Sequence, residues 1–362
     1  MKAAVLQAFG EPVTITDVEL APPKAGEVLV RIRATGVCHS DLSMQQGKLP
    51  YPLPCVLGHE GAGVVEQVGP GVASVAPGDH VVVVWSPICG HCFYCLRGQA
   101  HLCETSQVLG LMEDGTSRLS RDGETLYHAI NAATFAEAAV LRENSVVKIP
   151  DDVPFEIAAV VGCGVLTGVG AAVKTASVRP GDSVVVVGCG GVGINVIQGA
   201  RLAGADPIVA VDAVAGKLEM AQRFGATHTV NASETDAAAA VLGLTEGRGA
   251  DAAFEVVGNV KLQRQVYDMT RRGGSAVFVG VAPFGDEVSL PSLFLTLGEK
   301  KVLGCFYGSC DPRRDIPWIL SLWRAGKLDL EGLISQRSVL ENINDAFEDM
   351  QAGKVIRTVL SL

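Results

Sequence analysis

The sequence predicts an α/β protein in two parts, a doubly wound parallel sheet and a β-rich region. Two observations carry this. From about residue 165 short apolar runs alternate with amphipathic stretches, and before about residue 150 Val-rich runs are separated by Gly and Pro. A chain of 362 residues is also too long for one ordinary domain and suits two.

The second part reads in order. Val184–Val187 is wholly apolar, as expected of a strand buried on both faces. A helix over 191–203 follows, then a strand over 208–211, a helix over 215–224 and a strand over 227–230. A helix over 235–242, a strand over 252–257, a helix over 260–270 and a strand over 276–279 complete the run. Such alternation implies a parallel sheet covered by helices. In the first part 28–34, 63–68 and 79–84 read as strands, parted by Pro22-Pro23, Gly69-Pro70-Gly71 and Pro77-Gly78-Asp79. Near the end lie helical patterns at 317–325 and 343–351, then a strand over 356–360.

Composition narrows the function. With 48% hydrophobic and 19% charged residues the chain can build a large core and is not disordered. A formal charge of −10, with no basic run, argues against a nucleic-acid partner. The N-terminus reads directly as a strand, without the features of a signal peptide. No apolar stretch runs to about 18 residues free of charges, Gly and turn signals, so no membrane span is expected. A cytoplasmic protein is the expectation. Ten cysteines, in a chain read as unexported, point to metal rather than disulfides.

Gly188-Cys189-Gly190-Gly191-Val192-Gly193 matches G-x-G-x-x-G, directly after an apolar strand and opening a helix. Only that context makes the pattern informative; otherwise it is a Gly-rich turn. The glycines allow close backbone approach to a pyrophosphate, and the helix start offers free N–H groups. Asp212 ends the next strand, placed to accept hydrogen bonds from an adenosine ribose. Its charge would repel a 2′-phosphate, so NAD is favoured over NADP. This is the Rossmann-type arrangement.

Cys89, Cys92, Cys95 and Cys103 form C-x2-C-x2-C-x7-C. Four thiolates can enclose one zinc ion and leave no open position, which marks a structural site. The competing reading is an iron–sulfur cluster, but the last spacing does not suit a ferredoxin run and no Pro follows the fourth Cys. His91 and His101 lie within the same lobe and read as solvent-facing bystanders. A second set is scattered: Cys38, His59 and Cys163. Two thiolates and one imidazole leave a fourth place for water or substrate. Taken singly, each is more often core filler or structural.

Gly36-Val37-Cys38-His39-Ser40-Asp41, Gly58-His59-Glu60, the Cys89–Cys103 lobe, Asp114-Gly115-Thr116-Ser117-Arg118, Gly162-Cys163-Gly164-Val165-Leu166-Thr167-Gly168, the glycine turn and Gly353-Lys354-Val355-Ile356-Arg357-Thr358 stand in that order. In these segments the chain resembles the zinc-containing medium-chain alcohol dehydrogenases, in the branch with the liver-type and glutathione-dependent formaldehyde enzymes. The resemblance runs over almost the whole length. It implies a GroES-like catalytic domain over 1–164 and 305–362 and an NAD-binding domain over 165–304. It implies two zinc ions per chain and NAD as cofactors, with Cys38, His59 and Cys163 on the catalytic zinc. Two thiolates and one imidazole are the set for which alcohol dehydrogenase is the known example. Glu60 is then the carboxylate able to approach the metal, Asp41 the acid orienting His59, and Ser40 the hydroxyl that takes the substrate proton. His39 and Arg357 become pyrophosphate contacts. Gly188, Gly190, Gly191 and Gly193 form the pyrophosphate turn, Thr167 and Val192 the nicotinamide wall, and Lys217 a ribose contact beside Asp212. Trp85 and Leu49 fall at channel positions and imply a primary, apolar or aromatic alcohol.

Two departures bear on chemistry. Ser43 stands where a relay histidine often ends the proton path. Gly47-Lys48-Leu49-Pro50-Tyr51 lacks the acidic pair of the glutathione-dependent branch. Three alternatives remain: a thiol-adduct formaldehyde dehydrogenase, an enzyme that keeps its NAD between turnovers, and a zinc-bearing binding module without catalysis. The resemblance of 114–128 to the long loop of dimeric relatives implies a homodimer, paired through a sheet edge near 300–303.

Overall fold

A computed structural model describes residues 1–107 and 110–362, Gln107 by its backbone alone. The chain divides into two compact units, Met1–Cys163 with Asp311–Leu362, and Gly164–Cys310. The chain leaves the second unit after Cys310, later than the expected 304. Tyr307–Ser309 packs onto the helix Leu166–Gly170, and a Cβ on Gly170 would fall 2.5 Å from the Cys310 sulfur.

The first unit is β-rich. Its long strand Glu27–Gly36 is antiparallel to Glu60–Val68, to Ala138–Arg142 and to the C-terminal strand Arg357–Ser361. Register decides what meets at one end: Gly36 lies opposite Glu60 on one side and opposite Val359 on the other. Cys38, His59 and Arg357 therefore stand at neighbouring strand ends, although the chain separates them widely. Val28, Val30 and Ile32 alternate inward on the long strand and join Val65, Val81, Val83 and Leu141 in one core. The helix Pro312–Arg324 begins earlier than the expected 317. Asp311 caps it, accepting from the Arg313 N–H at 3.2 Å, and Pro312 sits at its first turn where no N–H is needed. Helix Ile343–Gln351 falls where its pattern places it.

The second unit is a parallel sheet in the order His228–Asn231, Ile208–Asp212, Val184–Val187, Ala250–Glu255, Thr270–Phe278, Lys301–Gly304. Numbered along the chain this is 3-2-1-4-5-6, the doubly wound order with its switch point beside Val184–Val187. Val185, Val187, Val209, Val211 and Ala253 fill the layer between sheet and helices. The helix Gly191–Ala203 starts directly after the central strand and stops at Gly204, at φ +81°. Lys301–Gly304 is one edge strand of this sheet, with His228–Asn231 at the other edge.

The helical stretch Phe155–Thr175 is long and apolar enough to cross a membrane, but 83% of its apolar window is buried inside the protein. It is a core helix. It winds α, π, α, π, and Cys163 lies in the first π segment, Val161–Val165. Such wider turns recur at functional sites because they re-aim one side chain.

Candidate active site

Cys38, His59, Glu60 and Cys163 converge in the first unit. One ligand atom from each lies within 4.8 Å of every other, and all four residues are buried. Tetrahedral zinc with bonds of about 2.0–2.3 Å needs ligand atoms roughly 3.3–3.8 Å apart, so the donor set fits one ion. Asp41 stands behind His59, its Oδ1 3.1 Å from Nδ1, and accepts the Gly58 N–H at 3.0 Å. That fixes the ring with Nε2 left for the metal. Ser40 lies beside the cluster, its Oγ 3.9 Å from the Cys38 sulfur. Gly36 is required here: a Cβ would strike the Glu60 carboxylate.

Electrostatics suit a cation. A hydrogen bond from Cys163 is the main cause holding the Cys38 thiol well below its ordinary pKa, helped by His59 and Arg357 against the cost of burial. Burial pushes the Glu60 carboxyl up to about 8, and Arg357 opposes that shift. Arg357 Nη1 donates to Glu60 Oε1 at 3.1 Å and to the Val37 carbonyl at 3.0 Å. Arg357 was expected on the pyrophosphate; here it is 6% exposed and holds Glu60. A buried carboxylate needs such a partner.

The second cluster is contiguous. Cys89, Cys92, Cys95 and Cys103 bring their sulfurs within 4.8 Å of one another. Cys89–Cys95 is 4.0 Å and Cys92–Cys103 is 3.9 Å, close to the tetrahedral edge expected for zinc bonds of about 2.3 Å. This leaves room for one ion rather than a cluster. The Cys89 N–H points to the Cys103 sulfur at 3.2 Å and the Cys92 N–H to the Cys89 sulfur at 3.3 Å. His91 is exposed and reaches the Cys89 carbonyl at 3.0 Å; His101 is half-buried.

In the second unit Gly188 lies at φ +100°, and a Cβ on Gly193 would collide with the Gly188 carbonyl. At Gly190 a Cβ would meet nothing within 4 Å, so the turn opens onto free space at the helix start, as a pyrophosphate requires. Asp212 accepts the Cys189 N–H at 2.8 Å and the Val214 N–H at 3.0 Å. The carboxylate expected on the ribose thus also ties the glycine turn to the next strand. Lys217 is half-buried on the helix Ala215–Phe224. Gly168, the residue after Thr167, abuts Val192: a Cβ on Gly168 would come 2.5 Å from the Val192 carbonyl.

The other expected positions fare differently. Trp85 stands edge-on to His59, ring centroids 6.3 Å apart. Leu49 is partly buried and packs against the cluster of Met44, Leu57 and Phe135. His39 is exposed on the first turn of the helix His39–Gln45. Sequence reasoning missed the Arg357–Glu60 pair, whose signal is strand register.

Comparison with known proteins agrees with this geometry. Residues 24–151 match the alcohol dehydrogenase GroES-like domain and residues 191–324 the zinc-binding dehydrogenase family. An S-(hydroxymethyl)glutathione dehydrogenase of Paracoccus denitrificans is 43% identical over 99% of each chain. An NDMA-dependent alcohol dehydrogenase of Amycolatopsis methanolica is 44% identical over 99% of this chain and 98% of its own. The crystal structure of benzyl alcohol dehydrogenase from Acinetobacter calcoaceticus superposes with a TM-score of 0.94 at 34% identity, covering 100% of this chain and 99% of that one.

Proposed function

The chain belongs to the zinc-dependent medium-chain alcohol dehydrogenase family, in the branch of the glutathione-dependent formaldehyde enzymes, and from that premise we propose that it oxidises a primary alcohol with an apolar, preferably aromatic, body to the aldehyde. Zinc and NAD are the cofactors of this enzyme. When bound, zinc supplies a Lewis acid that acidifies the alcohol, and NAD accepts the hydride. Cys38, His59 and Cys163 would hold the catalytic ion, and Asp41 orients His59. Ser40 takes the alcohol proton beside Cys38. Arg357 keeps Glu60 poised next to the ligands. Cys89, Cys92, Cys95 and Cys103 would hold the structural ion. The turn from Gly188 to Gly193 would carry the pyrophosphate, with Asp212 and Lys217 at the ribose and His39 on the phosphates.

The observation that carries the apolar reading is Trp85 set edge-on to His59, a large apolar wall beside a metal ligand. The relatives' names favour a second reading more strongly. The 43% identical relatives are named for S-(hydroxymethyl)glutathione, a thiol adduct, whereas the benzyl alcohol enzyme is 34% identical. Steady-state kinetics with NAD decide between them. Benzyl alcohol and hexanol should exceed ethanol in kcat/KM, and formaldehyde with glutathione should fall below benzyl alcohol. Ethanol in first place overturns the apolar reading, and the thiol adduct in first place replaces it with the second. NAD that stays with the protein through gel filtration would identify an enzyme that recycles its cofactor in place.

Location and assembly complete the proposal. The six cysteines of the two clusters must stay reduced to hold zinc, which suits the cytoplasm. The edge strand Lys301–Gly304 suits pairing with a second copy as a homodimer, and light scattering showing a tetramer would count against it.

A further inference from the structure

Glu255 ends the strand Ala250–Glu255, in register with Val187, the last residue before the glycine turn. It is fully buried. Its Oε1 accepts from three successive backbone N–H groups, Val257 at 2.8 Å, Gly258 at 2.7 Å and Asn259 at 3.3 Å. Burial pushes its carboxyl above the ordinary range, while these N–H groups and Gln263 pull it back. A charge buried this deeply persists only with such donors. The effect on the chain is a moulded turn. Gly258 takes φ +84°, with the Val281 carbonyl where a Cβ would stand, so no side chain could relax the turn in that direction.

The turn delivers Val257. A Cβ on Gly188 would lie 2.6 Å from Val257 Cγ2, so this side chain rests on the glycine turn itself. Val257 is nonetheless 55% exposed. An apolar side chain is thus held in the open, at the rim of the turn from Gly188 to Gly193, by a buried carboxylate. We infer that Glu255 is a positioning residue for NAD: its carboxylate shapes the turn Val257-Gly258-Asn259, and that turn sets Val257 as an apolar wall of the dinucleotide groove. The inference rests on the assignment of the glycine turn to NAD and not on which alcohol is oxidised.

Two conservative variants test it. Glu255→Asp keeps the charge but draws the oxygen back by about 1.5 Å. Glu255→Gln keeps the acceptor in place without the charge. NAD binding to the zinc-loaded enzyme is measured by calorimetry without alcohol, with Tm and zinc content alongside. Glu255→Asp should weaken Kd and raise KM for NAD by about tenfold, with kcat at saturating NAD within about threefold. Amide exchange at Val257, Gly258 and Asn259 should accelerate in step. Glu255→Gln should recover most of the affinity. Gly190→Asp checks the premise, because its carboxylate enters open space where the pyrophosphate would lie. If Gly190→Asp binds NAD normally, the assignment of the turn fails. If it loses NAD while Glu255→Asp does not, the role of Glu255 is overturned. Equal loss in Glu255→Asp and Glu255→Gln also overturns it, because an acceptor oxygen kept in place would then not be enough to hold the turn.

Discussion

The two cysteine clusters of the first unit use similar atoms and are built in opposite ways. Cys89, Cys92, Cys95 and Cys103 come from one short lobe whose own N–H groups point at the sulfurs. Cys38, His59, Glu60 and Cys163 come from two strand ends and a π-helical segment; Asp41, from the segment of Cys38, supports His59, and Arg357, far along the chain, supports Glu60. Two of the lobe's large apolar side chains face outward: Phe93 is 54% and Leu96 75% exposed. The scattered set needs no metal to assemble it, because strand pairing already brings Gly36 opposite Glu60. A local cluster is therefore a folding device, and a dispersed one is a place where the fold delivers chemistry.

Replacing one ligand in each cluster tests that contrast most severely. Cys163→Ala should lower kcat/KM by roughly three orders of magnitude or more while thermal unfolding stays close to wild type. Cys95→Ala should do the reverse, lowering Tm by roughly 5–10 °C and leaving the surviving folded fraction active. Metal analysis of fresh active protein should give two zinc ions per chain. One ion, or equal effects of both substitutions on Tm, would remove the distinction.

Acidification offers a second test, because protonated thiols release zinc from both clusters. The scaffold has an acid-sensitive group of its own. His128 is buried, and its Nε2 accepts the Arg118 N–H at 3.2 Å. Burial first, then the charges of Arg118 and Arg142, push its pKa down to about 4. An unfolded histidine titrates near 6.5. Between those values the unfolded chain binds the extra proton, so this stabilisation is complete above pH ~6.5 and is lost as pH falls towards ~4. The loss amounts to about 3 kcal/mol. Urea midpoints of His128→Gln should be flatter than wild type across that window. An unchanged slope would put the whole acid loss on the metal clusters.

The same contrast explains what the sequence disclosed. The cysteine lobe and the glycine turn are local, so spacing and flanking elements sufficed, and the strand–helix rhythm placed the first four strands of the parallel sheet to within two residues, while the strand expected over 276–279 runs from Thr270 to Phe278. The start of the helix Pro312–Arg324 was legible in Asp311-Pro312 but was read from its later apolar face. Arg357 could be seen only as part of a familiar segment. Its pairing with Glu60 depends on Val359 and Glu60 flanking Gly36 on adjacent strands, a register no single-strand pattern contains. Glu255 looked like any strand-end acid, because three N–H groups converging on one oxygen is a property of the folded turn.

Cofactor choice should show a smaller effect. Asp212→Ala removes a charge that would repel a 2′-phosphate, and with it the bonds to the Cys189 and Val214 N–H groups. The NAD-to-NADP ratio of kcat/KM should fall by about tenfold, as expected for one charged hydrogen bond of roughly 1.5 kcal/mol. Wild-type enzyme that already used NADP equally well would refute this role of Asp212.

The smallest effect concerns Trp85, proposed above as a wall beside the scattered site. Trp85 is half-buried against the core that contains Val28, Val65 and Val83, and its ring stands at 85° to that of His59. Truncation to Ala removes apolar contact without touching a ligand. If the indole is a wall against which a bulky alcohol packs, losing roughly 40 Å² of contact costs about 1 kcal/mol at ~25 cal/mol per Å², about fivefold in kcat/KM. Ethanol reaches less of that wall and should change less. If the indole instead fills the channel, Trp85→Ala opens space and benzyl alcohol gains while ethanol falls behind. The sign of the change for benzyl alcohol thus separates the two, and it does so with zinc content and Tm held as controls. A gain would overturn the apolar-wall reading even if wild-type enzyme turned over benzyl alcohol well, because it would make Trp85 an obstacle rather than a contact.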